Sequence, residues 1–327
     1  MATTSDRPAL GLGVHVGQQN ATMAELTALW ARLDDAVDWI SVWDHLYEAP
    51  PAGGTTPHFE AVASLAALAT VTSRARLGCL VFCVPSRNPA LLAKSVVAID
   101  HLSEGRFEPG FGAGWHEPEF RAHGYDFDEL PTRFDQLTEG LEIISAMLGP
   151  GAGVDGRPIT FHGEHHRVDE VRCVPGPFAG SIPLWTGGRG PRRTPEIAAR
   201  FCSGWNVPYV GPEEYRRLND RLDAACEAIG RDPATLERSV NLAFHAGATP
   251  AAADAELARL RETWGDDAER VTAGALTGTP ERAIERLAEY RAAGADLVNV
   301  ALRLPVDDDA LEAHLTETVP TARRELA

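Results

Sequence analysis

Two spacings of apolar residues take turns along this chain. Short runs of apolar, β-branched or aromatic residues alternate with longer segments of helical period. A first strand is predicted at Leu10–Val16, followed by a helix near Ala21–Ala36. The second strand, Trp39–Trp43, runs straight into Asp44–His45, and a helix from Pro57 to Ser73 leads to a third strand, Arg76–Val84. The helix Pro89–Leu102 opens on proline, where the missing N–H costs nothing. Strand four, Arg106–Phe111, ends in the glycine-rich Gly110–Gly114; a short segment, Glu117–His123, and a helix, Thr132–Leu148, follow.

Residues 149–181 break the rhythm. They are rich in Gly and Pro, contain the turn Asp155–Gly156, and read as an excursion bearing a hairpin. The rhythm resumes with strand five at Ile182–Thr186 and a helix near Pro191–Phe201, then strand six at Gly204–Val207 and the helix Pro212–Ile229. Strand seven is Ser239–His245, with a helix near Ala251–Trp264. A Gly/Thr-rich stretch, Val271–Thr279, precedes the helix Pro280–Ala293 and strand eight at Leu297–Leu302; the tail from Asp307 reads as a closing helix. Strands and helices alternating without a linker predict a single-domain α/β fold, a parallel (β/α)8 barrel. A doubly wound sheet would want GxGxxG after the first strand, and LGLGVHVGQQN does not supply it.

Composition narrows the function. The chain has 327 residues, with 30 basic against 47 acidic side chains and a formal charge of −17. No basic run exists to hold nucleic acid, and the acidity disfavours an anionic membrane surface. Lys94 is the only lysine and lies inside a helical pattern, which disfavours Schiff-base chemistry. The five cysteines form no CxxC pair, no stretch is long and apolar enough for a transmembrane helix, and the first residues lack a secretory pattern. The expectation is a reduced cytoplasmic protein with buried thiols.

In such a barrel the chemistry belongs at the C-terminal ends of the strands. Asp44–His45 is the acid/base candidate, the carboxylate being placed to fix the imidazole's tautomer; the alternative is a helix cap beside a surface histidine. Thr186–Arg193, TGGRGPRR, joins a strand to a helix. Its glycines let an anion approach the backbone and its arginines neutralise charge, unless it is an ordinary turn with solvated arginines. Gly110–Trp115, GFGAGW, reads as bare backbone against which a flat ligand can lie, with His116, Glu117 and Glu119 at the rim. His162, His165 and His166 read as solvated loop histidines, and Cys79 and Cys83 as buried, inert thiols on one strand face.

Taken together, SVWDHL at 41–46, LGCLVFCVPSRNPALLAKSVVAIDHLSEGRF at 77–107, GFGAGWHEPEF at 110–120, RFDQLTEGLEII at 133–144, PLWTGGRGPRRTPEIAARFCSGWN at 183–206 and GTPERAIERLAEYRAAGAD at 278–296 resemble the bacterial luciferase-like flavin or deazaflavin oxidoreductases, in the branch using coenzyme F420. The resemblance covers nearly the whole chain. It implies a planar ring at the barrel mouth, with hydride transfer at the ring's central carbon, or oxygen activation with a true flavin. Asp44 and His45 match the Asp-His pair beside the ring and are the implied catalytic residues. Gly187 and Gly188 match the glycines holding the cofactor phosphate, with Arg189, Gly190, Arg192 and Arg193 as its further contacts. Gly112, Ala113, Gly114 and Trp115 match the segment along the ring. Many members have a non-prolyl cis peptide against the ring, and the matching bond is Leu80–Val81. Sugar-phosphate dehydrogenases of the family carry glutamate where this chain has Trp115, which points instead to an apolar or aromatic small-molecule substrate. Three readings follow: an F420-dependent oxidoreductase, an FMN-dependent monooxygenase fed reduced flavin by a separate reductase, or a non-catalytic flavin-binding relative. A homodimer is expected.

Overall fold

A computed structural model describes residues 9–48, 54–150 and 156–327. Its strands are β1 (Gly11–Val16), β2 (Trp39–Val42), β3 (Arg76–Cys83), β4 (Phe107–Gly112), β5 (Ile159–His162), β6 (Arg167–Val171), β7 (Trp185–Gly187), β8 (Gly204–Pro208), β9 (Glu237–Ala246), β10 (Ala275–Gly278) and β11 (Leu297–Leu302). Eight of them close a parallel ring in the order β1-β2-β3-β4-β7-β8-β9-β11, with β11 returning to β1. This is the predicted (β/α)8 barrel, and the closure excludes the doubly wound sheet.

The helices form where local chemistry starts and stops them. Thr22 and Glu25 make a capping box at the start of Met23–Asp34. Asn88 caps Pro89–Leu102, accepting the Leu91 N–H at 2.9 Å. Among the described residues no helix is long and apolar enough to cross a membrane.

Two expectations need correction. The Gly/Thr-rich Val271–Thr279 contains a ninth parallel strand, β10, which takes over the edge of β9 where β8 stops: Tyr209 N–H donates to the Asn241 carbonyl, and Ala243 N–H to that of Gly274. The excursion does hold a hairpin, β5 against β6, but its turn is at 163–166; Asp155 lies outside the described residues. The Glu139 carboxylate, on the helix Leu130–Leu148, pins that turn by accepting the N–H groups of Glu164, His165 and His166, each at 2.8 Å.

Inside the barrel, large side chains face glycines. Trp39 and Trp185 meet with ring centroids 5.0 Å apart and form a small core with Leu80 and Leu297. A Cβ on Gly78 would lie 2.2 Å from Trp39, and one on Gly204 2.4 Å from Trp185. Below them Arg76 bridges Glu237 at 2.6 Å and Glu108 at 3.3 Å, with its guanidinium 4.9 Å from the Trp39 ring centroid. Above them Asn241 Oδ1 accepts from Asn206 and Asn299 at 2.9 and 3.1 Å. The filling leaves little tolerance. A Cβ on Gly13 would lie 2.0 Å from Asn299 Oδ1 and 2.9 Å from Trp39 Cβ. Gly13→Ala is therefore expected to lower stability by about 1–3 kcal/mol, read as a shift of the urea midpoint at constant slope.

Candidate active site

The C-terminal ends of the strands open into a cavity of about 1000 Å³. Of the residues singled out from the sequence, Asp44, His45, Leu80, Val81, Gly112, Ala113, Gly114, Trp115, Gly187, Gly188, Arg189 and Gly190 line it. Arg192 and Arg193 do not. Arg193 donates to the Pro131 carbonyl and to Asp135 and lies over the Phe134 ring, while Arg192 is exposed, 3.8 Å from Glu196.

Asp44 and His45 follow β2 but part company. Asp44 is 9% exposed and accepts the Cys83 N–H at 3.0 Å and the Arg87 Nε at 2.7 Å; a second guanidinium nitrogen of Arg87 bridges Asp44 to Glu60. Burial works against the Arg87 charge, yet its hydrogen bonds with Asp44 and Glu60 raise its pKa above the ordinary range. His45 pairs instead with Glu119, whose Oε1 lies 2.6 Å from Nδ1. The other Glu119 oxygen accepts the Leu46 N–H at 2.8 Å. The rim placement of Glu119 is thus overturned: it is 5% exposed, carried inward by the short helix Glu117–Ala122. Trp43, Trp115 and His116 set their rings edge-on around His45, at 6.2, 5.4 and 6.1 Å.

The wall at β3 is irregular. Its register with β4 shifts between Cys79 and Phe82, and the Leu80–Val81 peptide is cis, at the expected bond. Val81 rests on glycine: a Cβ on Gly112 or Gly187 would come within 2.5 or 2.7 Å of it. The cysteines of this strand are free; Cys79 is buried, whereas Cys83 is partly exposed and lines the cavity. Burial pushes the Cys83 thiol up to about 12 and that of Cys79 well above its usual range, so neither is a thiolate at neutral pH.

Across the cavity, residues 186–194 carry no acidic side chain. Gly188 adopts φ +144°, a conformation that favours glycine, and its carbonyl accepts the Trp205 Nε1–H at 3.2 Å. The helix Arg193–Phe201 starts here without a side-chain cap. Pro195 has no N–H and that of Glu196 goes to the Arg192 carbonyl, which leaves the N–H groups of Arg193 and Thr194, with the Thr194 hydroxyl lining the cavity, as donors for an anion.

Sequence reasoning missed His15, Arg87, Asn206 and Asn241, all of which line the cavity. His15, Asn206 and Asn241 each interrupt an apolar strand, and that was the available signal. The His15 Nδ1 lies 2.9 Å from Ser41 Oγ. Burial first, then the nearby His45 and Arg303, lowers its pKa to about 3, so it is neutral at physiological pH. Arg87 has no such signal, since its role depends on Asp44 approaching from another strand.

An eight-stranded parallel barrel with its cavity at the strand C-termini and an anion-ready loop after the fifth barrel strand defines a (β/α)8 protein of enzyme type. Residues 38–297 match the luciferase-like monooxygenase family, and the chain belongs to it. It is 29% identical over 232 residues to the F420-dependent hydroxymycolic acid dehydrogenase of Mycobacterium tuberculosis, a match covering 69% of this chain and 58% of that protein. The chain spans about half the length, 47%, of curated relatives that are 32% identical to it. The structure resembles an F420-dependent secondary alcohol dehydrogenase in complex with an F420-acetone adduct, with a TM-score of 0.83 at 15% identity, covering 95% of this chain and 99% of the other. It also resembles the oxygenating constituent of 3,6-diketocamphane monooxygenase from Pseudomonas putida in complex with FMN, with a TM-score of 0.71 at 17% identity, covering 96% and 99%. At these identities the structural likeness shows the fold. The named relatives are oxidoreductases and monooxygenases, with F420 and FMN both among their cofactors.

Removing the half-buried Arg87 leaves the buried Asp44 carboxylate without its cation. Arg87→Leu is expected to cost about 3–5 kcal/mol in urea unfolding, and Arg87→Lys to restore only part, because an ammonium cannot reproduce the forked contact.

Proposed function

We propose that this chain is an F420-dependent oxidoreductase acting on a small, apolar or aromatic organic substrate at the barrel mouth. The observation that carries the reading is the acid-free loop Gly187–Gly190, with its uncapped helix start, facing the same cavity as the Glu119-bound His45. The site fits the group. The loop offers N–H groups, a hydroxyl and Arg189, which is exposed and forms no ion pair among the described residues, to a phosphate. About 1000 Å³ is ample for a tricyclic ring and a small substrate.

Leu80, Val81 and the Gly112–Gly114 backbone would hold the ring, and Gly187, Gly188, Arg189, Gly190 and Thr194 its phosphate. When bound, the deazaflavin supplies hydride transfer at its central carbon. His45 moves the accompanying proton, and Asp44, held by Arg87, fixes the strand end that carries it. His15 stays neutral and adds no charge to the cavity. Trp115, 59% exposed, gives the mouth a flat apolar face for the substrate. The preference for F420 over FMN draws on the combined motifs, on the F420-dependent mycobacterial relative, and on Arg189 as a partner for a long anionic tail.

Titrating the purified protein separately with F420 and with FMN tests this. Saturable F420 binding with little FMN binding is expected; tight FMN binding without F420 binding would overturn it in favour of the monooxygenase. Gly188→Val should weaken cofactor binding while the circular dichroism stays unchanged. Arg189→Ala should weaken it by about 1.5–3 kcal/mol, and Arg193→Ala by less because its guanidinium already holds Asp135. On an identified substrate, His45→Ala should lower turnover about 10²–10⁴-fold; near-normal turnover would reduce the histidine to a binding contact.

A further inference from the structure

We infer that Glu119 is the positioning residue of this site, holding His45 with its proton on Nδ1 so that Nε2 is the atom that takes or gives a proton in the cavity. The inference rests on the proposed role of His45 and adds which atom acts and what sets it.

The assignment follows from counting donors and acceptors. An ionised carboxylate accepts and cannot donate. One Glu119 oxygen takes the Leu46 N–H at 2.8 Å, a donor that cannot be reversed. The other lies 2.6 Å from the His45 Nδ1, which must therefore carry hydrogen. The His116 Nε2 is 3.8 Å from that same oxygen, too far for a hydrogen bond. Asp44, the sequence neighbour, is occupied by Arg87 and the Cys83 N–H. Burial opposes the Glu119 charge, but the hydrogen bonds from His45 and Leu46 hold its pKa below the ordinary glutamate value, so it stays an acceptor at neutral pH. The rings of Trp43, Trp115 and His116 restrict the imidazole's rotation. Among the described residues no group hydrogen-bonds the His45 Nε2. In the neutral imidazole that nitrogen is a bare acceptor on the cavity wall.

Glu119→Gln separates positioning from mere clamping. Glutamine has one acceptor, which the fixed Leu46 N–H claims, so its amide N–H₂ faces Nδ1. Nδ1 must then give up its hydrogen, and the proton moves to Nε2. The same acid-to-amide change in the serine-protease triad imposes the wrong tautomer and costs about 10⁴-fold in turnover.

The experiment is two-bond ¹H–¹⁵N correlation spectroscopy of the ¹⁵N-histidine-labelled full chain at alkaline pH, with the His45 signals assigned by their loss in His45→Ala. The parent is expected to show His45 protonated on Nδ1 and bare on Nε2, and Glu119→Gln the reverse. An Nε2–H tautomer in the parent, or an unchanged tautomer in Glu119→Gln, would overturn the inference. The parent spectrum decides even if Glu119→Gln fails to fold. Turnover of Glu119→Gln should fall about 10²–10⁴-fold, to about the level of His45→Ala. If His45→Ala itself turned over normally, the proton-transfer role would fail while the tautomer result stood, so the two failures are distinguishable.

Discussion

Trp39 and Trp185 fill the barrel at mid-height, and their bulk sets what the rest of the molecule can do. Because a Cβ at Gly78 or Gly204 would fall well inside contact distance of an indole, the strands around the tryptophans have no room to drift. The N-terminal end is closed as well, by Arg76 between Glu108 and Glu237, with Trp185 Nε1 donating to Glu108 at 2.8 Å. Among the described residues the cavity opens at the C-terminal mouth. Side chains at the strand ends stand on a packed base, which is what a site needing sub-ångström placement requires.

The mouth solves an electrostatic problem the composition poses. A chain of net charge −17 should repel an anionic cofactor, and three carboxylates do line the cavity. Each is already engaged: Asp44 and Glu60 by Arg87, and Glu119 by His45 and Leu46. Their charge is spent on holding the scaffold. The lining also carries the acid-free loop 186–194 with its helix start and Arg189, and the further arginines Arg270 and Arg303. Local pairing, not net charge, decides what the cavity accepts.

Most of the fold was legible because a parallel strand buried on both faces reads as an apolar run, and helix starts carry their own caps. The helix Pro89–Leu102 falls where the sequence puts it, since Asn88 and Pro89 mark its first turn. β10 was not legible: a four-residue strand in a Gly/Thr-rich stretch lacks any period, and only the free edge of β9 makes it a strand. The hairpin turn was placed by its Asp-Gly dipeptide, whereas the Glu139 carboxylate decides it from another helix. At the site, adjacency suggested that Asp44 serves His45. The partner is Glu119, 74 positions away, because Asp44 is taken by Arg87 and the helix after β4 turns Glu119 inward. Spacing along a chain finds the histidine but not the group that orients it.

The glycine-rich segment shows the same limit from the other side. Gly110, Gly112 and Gly114 recur every second residue, which is the period of a strand and not that of a phosphate-binding turn. The first two face the register shift in β3, where a Cβ would collide with Val81 at 2.9 and 2.5 Å, and Gly187 faces the same side chain from β7. Gly114, at φ +70°, clears Cys83 and Phe120. Gly110 and Gly112 thus do two jobs at once. They admit the Val81 side chain over the barrel's inner wall, and they leave the β4 backbone bare beside it. Hydrophobic face and exposed backbone come from one packing constraint, and substituting Gly110 or Gly112 would disturb both.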